Sequence, residues 1–182
     1  VARRYTGAKP SWARERWHTP DGDFVDVDWR TDVTPLPEDA PLLVLFHGLE
    51  GSSQSHYARA FGHWALQHGY AIVVPHFRGC SGQPNAAPRF YHSGDFAEID
   101  WILKRAASLW GGPVWAVGVS LGGNALLRWA QEMGATAAQT ASAVVAVCSP
   151  VDLAAAGHAI GAGFNRLAYN RMFLQTLKPK AL

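Results

Sequence analysis

The stretch from Pro113 to Ala130, PVWAVGVSLGGNALLRWA, leaves the chain few ways to fold. Val114 to Val117 are apolar and follow Gly111, Gly112 and Pro113, the profile of a fully buried strand. Gly118-Val119-Ser120-Leu121-Gly122 comes next, and from Asn124 to Met133 the apolar residues Ala125, Leu126, Trp129, Ala130 and Met133 recur at helical spacing. Strand, G-x-S-x-G and helix in that order are the context of a nucleophile elbow, a strand-to-helix turn that presents a serine hydroxyl at its apex. Side chains at the flanking positions of so sharp a turn collide with backbone, which gives Gly118 and Gly122 a steric reason to be glycine. Ser120 is therefore the candidate nucleophile, set at a helix N-terminus whose unpaired N–H groups can face a developing negative charge. G-x-S-x-G is a weak pattern in a chain with 18 glycines, and its placement carries the weight. A glycine-lined turn with a serine helix cap explains Ser120 and Gly122 but gives no reason for Gly118 or Gly123.

At 182 residues with 48% hydrophobic and 16% charged residues, the chain predicts one folded domain with a sizeable core. The formal net charge is +2 with scattered basic residues, and Ala2-Arg3-Arg4 is too small a cluster to indicate nucleic acid. The two cysteines, Cys80 and Cys148, have neither metal nor redox spacing, so a reducing, cytoplasmic setting is the simplest expectation. No apolar run approaches a membrane span, and the basic N-terminus has no signal-peptide core. The first residue is valine, consistent with a processed or partial product.

In chain order, Ala13–Thr19 and Phe24–Arg30 flank Pro20-Asp21-Gly22-Asp23 and predict a hairpin. Its second strand alternates, with Val25, Val27 and Trp29 expected inside and Asp26, Asp28 and Arg30 expected wet, as near a sheet edge. Residues 31–41 form a proline- and acid-rich loop. Leu42–Phe46 reads as a central parallel strand, followed by His47-Gly48-Leu49-Glu50-Gly51-Ser52-Ser53 and a helix from about Ser55 to His68. Ala71–Pro75 opens a second βα unit, with Ser93 expected to cap a helix running to Leu109. Ala143–Cys148 is a further buried strand, and Phe164–Leu177 is an amphipathic helix. Alternating strands and helices predict an α/β fold with a mostly parallel sheet, helices on both faces and an N-terminal antiparallel hairpin.

FHGLEGS (46–52), HFRGCSG (76–82), YHSGD (91–95) and GVSLGGN (118–124) together resemble the YheT-like branch of the α/β-hydrolases, to which carboxylic-ester hydrolysis is ascribed. The resemblance runs from about Arg14 to the end. It implies an oxyanion hole built from the backbone N–H of Leu49 and that of Leu121, the residue after the nucleophile. It also implies a catalytic acid and then a histidine on loops after two further strands, and the 62 residues beyond Ser120 yield only one strand and a helix. The chain is accordingly expected to be a single incomplete α/β-hydrolase domain over 1–182, truncated before the last strands. Residues 13–30 would be the hairpin, 42–148 the βα core with the elbow, and 149–182 the start of a cap or following helices.

Asp152 and His158 are the acid and histidine nearest to hand. After Ser149-Pro150, Asp152 reads as a turn or helix-cap residue, and His158 lies in an Ala/Gly-rich stretch with no strand before it. His18 is expected at the surface, His47 as an orienting residue of the Leu49 loop, and His76 and His92 as loop-shaping residues near the pocket. His63 and His68 are five apart, a poor match to the i, i+4 spacing of a helical zinc pair, so no metal or other cofactor is expected. Cys80 has no paired histidine to activate it as an alternative nucleophile. The function expected is a serine carboxylic-ester hydrolase acting on a small-molecule or lipid-like ester through an acyl-enzyme on Ser120. Nucleic acid and integral membrane insertion are not expected, and the chain by itself is expected to be a poor catalyst. Acyl transfer on the same fold, an inactive fragment and a non-catalytic interaction module are the alternatives.

Overall fold

The computed structural model describes residues 9–32 and 35–181, so Ala2-Arg3-Arg4 lies outside the described residues. Its six strands are β1 (Trp12–His18), β2 (Phe24–Arg30), β3 (Leu42–Phe46), β4 (Ala71–Pro75), β5 (Val114–Val119) and β6 (Ala143–Val147). They form one sheet in the order β1-β2-β4-β3-β5-β6. β1 and β2 pair antiparallel, as do β2 and β4, and every pairing from β4 through β3 and β5 to β6 is parallel. All five residues of β3 and of β4 are buried, as continuous apolar runs in the interior of a sheet covered on both faces require.

Alternate residues of β3 feed two cores. Leu42, Val44 and Phe46 pack with Ile99, Ile102 and Leu103 of α2 (Phe96–Trp110) and Leu126 and Trp129 of α3 (Leu121–Met133). Leu43 and Leu45 pack on the other face with Ala58 and Ala65 of α1 (His56–Gln67). In α2 the buried positions Ile99, Ile102, Leu103 and Ala106 follow the i, i+3, i+4, i+7 spacing of one helix face, and Gly111 ends the helix at φ 76°. The cap at the other end is Asp95, not Ser93 as the sequence suggested. Its carboxylate is directed to Arg89 at 2.5 Å.

The second hairpin strand departs most from its pattern. Asp26, Asp28 and Arg30, expected in water, are buried. β2 lies near the edge as expected, second after β1, but its polar face is covered by partners directly across on β1, where Arg14 opposes Asp28 and Arg16 opposes Asp26. Arg14 meets Asp28 at 2.7 and 3.0 Å and Arg16 meets Asp26 at 2.7 and 2.9 Å, both in two-pronged contacts. Arg30 is held by Asp32 at 2.8 Å and by the carbonyl of Gly62.

β6 ends at Val147, one residue before Cys148, which is exposed and has φ 52°. After β6 come α4 (Leu153–Gly161), α5 (Gly163–Asn165), a π-helical turn (Arg166–Asn170) and α6 (Arg171–Ala181). The expected tail helix is present, running without a break from Gly163 to Ala181 with a π-helical turn inside it, and a helix not foreseen at Leu153–Gly161 precedes it. None of residues 153–180 is buried, and Phe164 and Leu167 are 79% and 72% exposed, so no stripe of this segment is absorbed into the core. No helix among the described residues is long and apolar enough to cross a membrane.

Candidate active site

Ser120 stands between the last residue of β5 and the first of α3, with φ 54° and ψ −116°. That conformation is disfavoured for any residue with a Cβ and persists only where its surroundings impose it. Here the Ser120 N–H donates to Val147 of β6 at 2.8 Å, and its carbonyl accepts from Asn124 of α3 at 3.1 Å. The hydroxyl makes no capping bond to the helix, so a serine recruited only as an N-cap does not account for it. A Cβ at Gly118 would stand 2.5 Å from the Gly122 carbonyl oxygen, and one at Gly122 would lie 2.6 Å from that of Phe46. A Cβ at Gly123 would overlap the Ser149 hydroxyl. Three glycines let strand, turn and helix close on one another.

The loop after β3 runs beside this serine. A Cβ on Gly48 would touch the Ser120 Cβ at 3.3 Å. The Gly48 N–H donates to the Tyr57 hydroxyl at 2.9 Å, the Glu50 N–H to the Tyr91 hydroxyl at 3.0 Å, the Gly51 N–H to the Gly48 carbonyl at 2.9 Å and the Ser52 N–H to Ser55 Oγ at 3.0 Å. Leu49 is the exception: among the described residues its N–H has no protein acceptor, and neither has that of Leu121 at the start of α3. His47 orients the Leu49 peptide. The Phe77 N–H donates to His47 Nε2 at 3.0 Å, which leaves Nδ1 as the protonated nitrogen, donating to the Gly48 carbonyl at 2.7 Å. In a trans peptide the N–H points opposite the C=O, so this bond turns the Leu49 N–H away from His47.

Residues 41–175 match the profile of the alpha/beta hydrolase fold. The chain belongs to the α/β-hydrolase family. It is 41% identical over 98% of its length to the Escherichia coli (strain K12) protein YheT, to which an esterase activity is ascribed, and spans 51% of that protein. It is 30% identical over 81% of its length to the human phospholipase ABHD3 and spans 38% of it. The chain therefore spans about half or less of these relatives. Among solved structures, the Pyrococcus furiosus esterase Pf2001 superposes with a TM-score of 0.64 at 18% identity, over 95% of this chain and 64% of that one. A lidless serine hydrolase of Xanthomonas campestris gives 0.58 at 20% identity, over 78% of this chain and 63% of that one.

The remaining candidates sort by their partners. His47 is fully enclosed, and burial takes its imidazole down to about 3, so it stays neutral and spends both nitrogens on the loop. His76 is also buried, with Nε2 on Asp28 at 2.8 Å; Asp28 further accepts from Ser53 at 2.6 Å and from Arg14. Burial disfavours the Asp28 charge, but His76, Arg14 and Ser53 outweigh it and hold the carboxyl well below the usual range. That network ties the Gly48–Ser53 loop to β2 and to the 76–82 loop, and the sequence reading missed it. The matched order of Arg14 and Arg16 against Asp26 and Asp28 across a four-residue turn was the available signal.

Burial pushes the Cys80 thiol up to about 11, so it is protonated and a poor nucleophile at neutral pH. Asp152 caps α4, its carboxylate accepting from the Ala155 N–H at 2.8 Å, and His158 is exposed near the end of that helix. Neither is hydrogen-bonded to Ser120. His18 and His92 are exposed, His56 and His63 lie on α1, and His68 caps its end. Among the described residues no group of three or more His, Cys, Asp or Glu side chains is placed to hold a metal ion.

Proposed function

We propose that the protein is a serine carboxylic-ester hydrolase that forms an acyl-enzyme on Ser120, with the Leu49 and Leu121 N–H groups as oxyanion donors. The observation carrying this reading is the amide pattern beside Ser120: of the N–H groups from Gly48 to Ser52, the one at Leu49 alone is unspent among the described residues. An unspent amide next to a strained serine is what a tetrahedral intermediate needs. Ser120 Oγ adds to the ester carbonyl carbon, the carbonyl oxygen takes up the negative charge between the two donors, and collapse expels the alcohol. Water then repeats the addition and releases the acid. Each such donor is worth about 3 kcal/mol of transition-state stabilisation. The proton of Ser120 must pass to a base; His47 and His76 are committed to other partners, and the reading assigns this role to neither.

Relatives named as an esterase and a phospholipase support an ester or lipid-like ester as the substrate class. The test is Ser120→Ala in the whole protein, assayed with p-nitrophenyl butyrate. Turnover is expected to vanish with the melting temperature preserved, and retained turnover refutes the assignment.

A further inference from the structure

Tyr57 was not singled out by the sequence, and Tyr91 stood there only as the first residue of YHSGD, yet their hydroxyls bracket Leu49. One accepts the N–H on its N-terminal side, from Gly48 at 2.9 Å, and the other accepts the N–H on its C-terminal side, from Glu50 at 3.0 Å. We propose that Tyr57 and Tyr91 are positioning residues that hold the Leu49 N–H aimed at the acyl oxygen of the substrate. The inference rests on the hydrolase reading of Ser120 and Leu49 and goes beyond it in naming what keeps the donor in place.

The loop needs such holding. Glu50 has φ 54°, a left-handed conformation that favours glycine, so an unrestrained chain tends to rotate the Leu49–Glu50 peptide and to loosen the Gly48–Leu49 peptide before it. Rotation of the Leu49–Glu50 peptide swings the Glu50 N–H toward the site, and rotation of the Gly48–Leu49 peptide removes the Leu49 N–H from it. Tyr91 opposes the first movement twice. It accepts the Glu50 N–H and donates its own proton to Glu50 Oε1 at 2.7 Å, closing a ring between backbone and side chain of one residue. Burial holds the phenol above its ordinary range, so the donated proton is retained. The ring itself is clamped: Tyr91 stacks on Phe77 with centroids 5.3 Å apart and planes 8° off parallel, and the Phe77 N–H is the donor that fixes His47. Tyr57 acts from α1 on the adjoining His47–Gly48 peptide, whose N–H it accepts, and so anchors Gly48 beside the Ser120 side chain, the pivot of the second movement. His47 grips the Gly48 carbonyl, which belongs to the Gly48–Leu49 peptide itself, so Gly48 is held at both ends.

The test is Tyr91→Phe and Tyr57→Phe in the whole protein, each keeping the ring and deleting the hydroxyl. Because the oxyanion exists only in the transition state, a misaimed donor lowers kcat and spares KM. For each variant kcat on p-nitrophenyl butyrate is expected to fall about tenfold or more, part of the 10²–10³ that loss of a whole donor costs. KM should stay within about twofold, and affinity for a trifluoromethyl ketone that mimics the tetrahedral adduct should fall in parallel with kcat. Unchanged kcat in both variants overturns the proposal. So does a rise in KM with kcat intact, or a loss of activity matched by loss of folded protein in the melting curve. Failure of the underlying reading is a separate result, turnover surviving in Ser120→Ala.

Discussion

The closeness of α3 to the end of β3 makes Gly122→Ala the sharpest perturbation available. The added methyl would sit 2.6 Å from the Phe46 carbonyl oxygen and 2.8 Å from its carbon, and closer still to the carbonyl oxygen of His47. All three are backbone atoms, so no side-chain rotation relieves the overlap. To restore an ordinary contact of about 3.4 Å to the nearest of them, helix and strand must part by about 1 Å along a seam that is otherwise fully packed. Overpacking of this kind costs about 1–3 kcal/mol, and opposition from rigid backbone on one side and a helix on the other places Gly122 at the upper end. At about 2–4 °C per kcal/mol for a chain of this size, the melting temperature should fall by about 6–12 °C. Gly157→Ala in α4 is the matched control. Nothing lies within 4 Å of the methyl it adds, so it should leave the melt unchanged or raise it slightly through the gain in helix propensity. Circular dichroism melts of parent and both variants at pH 7 decide the matter. A Gly122→Ala protein melting within about 2 °C of the parent would refute the steric reasoning.

His47 makes stability depend on pH with a definite sign. Its folded-state value of about 3 lies below the ordinary 6.5, so the unfolded chain binds the extra proton first as pH falls. The contribution is full above 6.5 and is lost between there and 3, at a slope approaching about 1.4 kcal/mol per pH unit. Burial raises the Glu98 carboxyl and acts in the opposite sense, so the measurement is a difference: urea midpoints from pH 7 to 4.5 should fall less steeply for His47→Gln than for the parent. Parallel slopes would contradict it. At the sheet edge, Val145 of β6 is 45% exposed on a strand without a charged residue, so the 182-residue chain should self-associate and Val145→Lys should shift it toward monomer in sizing chromatography. An unchanged elution profile would count against edge pairing.

The strands most legible in the sequence were those with no choice of partner. Leu42–Phe46 and Ala71–Pro75 are apolar on both faces, which the interior of a sheet covered on both sides satisfies, and they fold where the pattern put them. Gly118 and Gly122 could be read because a turn too tight for a Cβ leaves its mark as glycine. β2 misled because alternation reports the chemistry of two faces but not what covers them. Asp28 looks solvated until Arg14, His76 and Ser53 are brought to it by strand pairing and by loops 25 and 48 residues away in sequence. The roles of Tyr57 and of Tyr91, the latter visible only as the start of YHSGD, escaped for the same reason: a hydroxyl that meets a distant amide leaves no local sign of that contact. The tail misled differently. Its apolar spacing is genuinely helical, but periodicity says nothing about whether a core lies opposite the stripe.

The two borders of the sheet are unlike. Along β1 the outer strand bears Arg14, Glu15 and Arg16 in succession, whereas β6, at the far border, carries no charge. The sheet can therefore be extended easily in one direction only. With strands about 4.8 Å apart, a newcomer pairing parallel to β6 would lie about 10 Å from β5, and its C-terminal end would emerge at the same rim as Ser120. A loop leaving that rim is within reach of the serine hydroxyl, while one arriving beside β1 would face the wrong end of the molecule's width. A strand added beyond β6 thus brings its loop to the rim that carries Ser120, and one added beyond β1 does not.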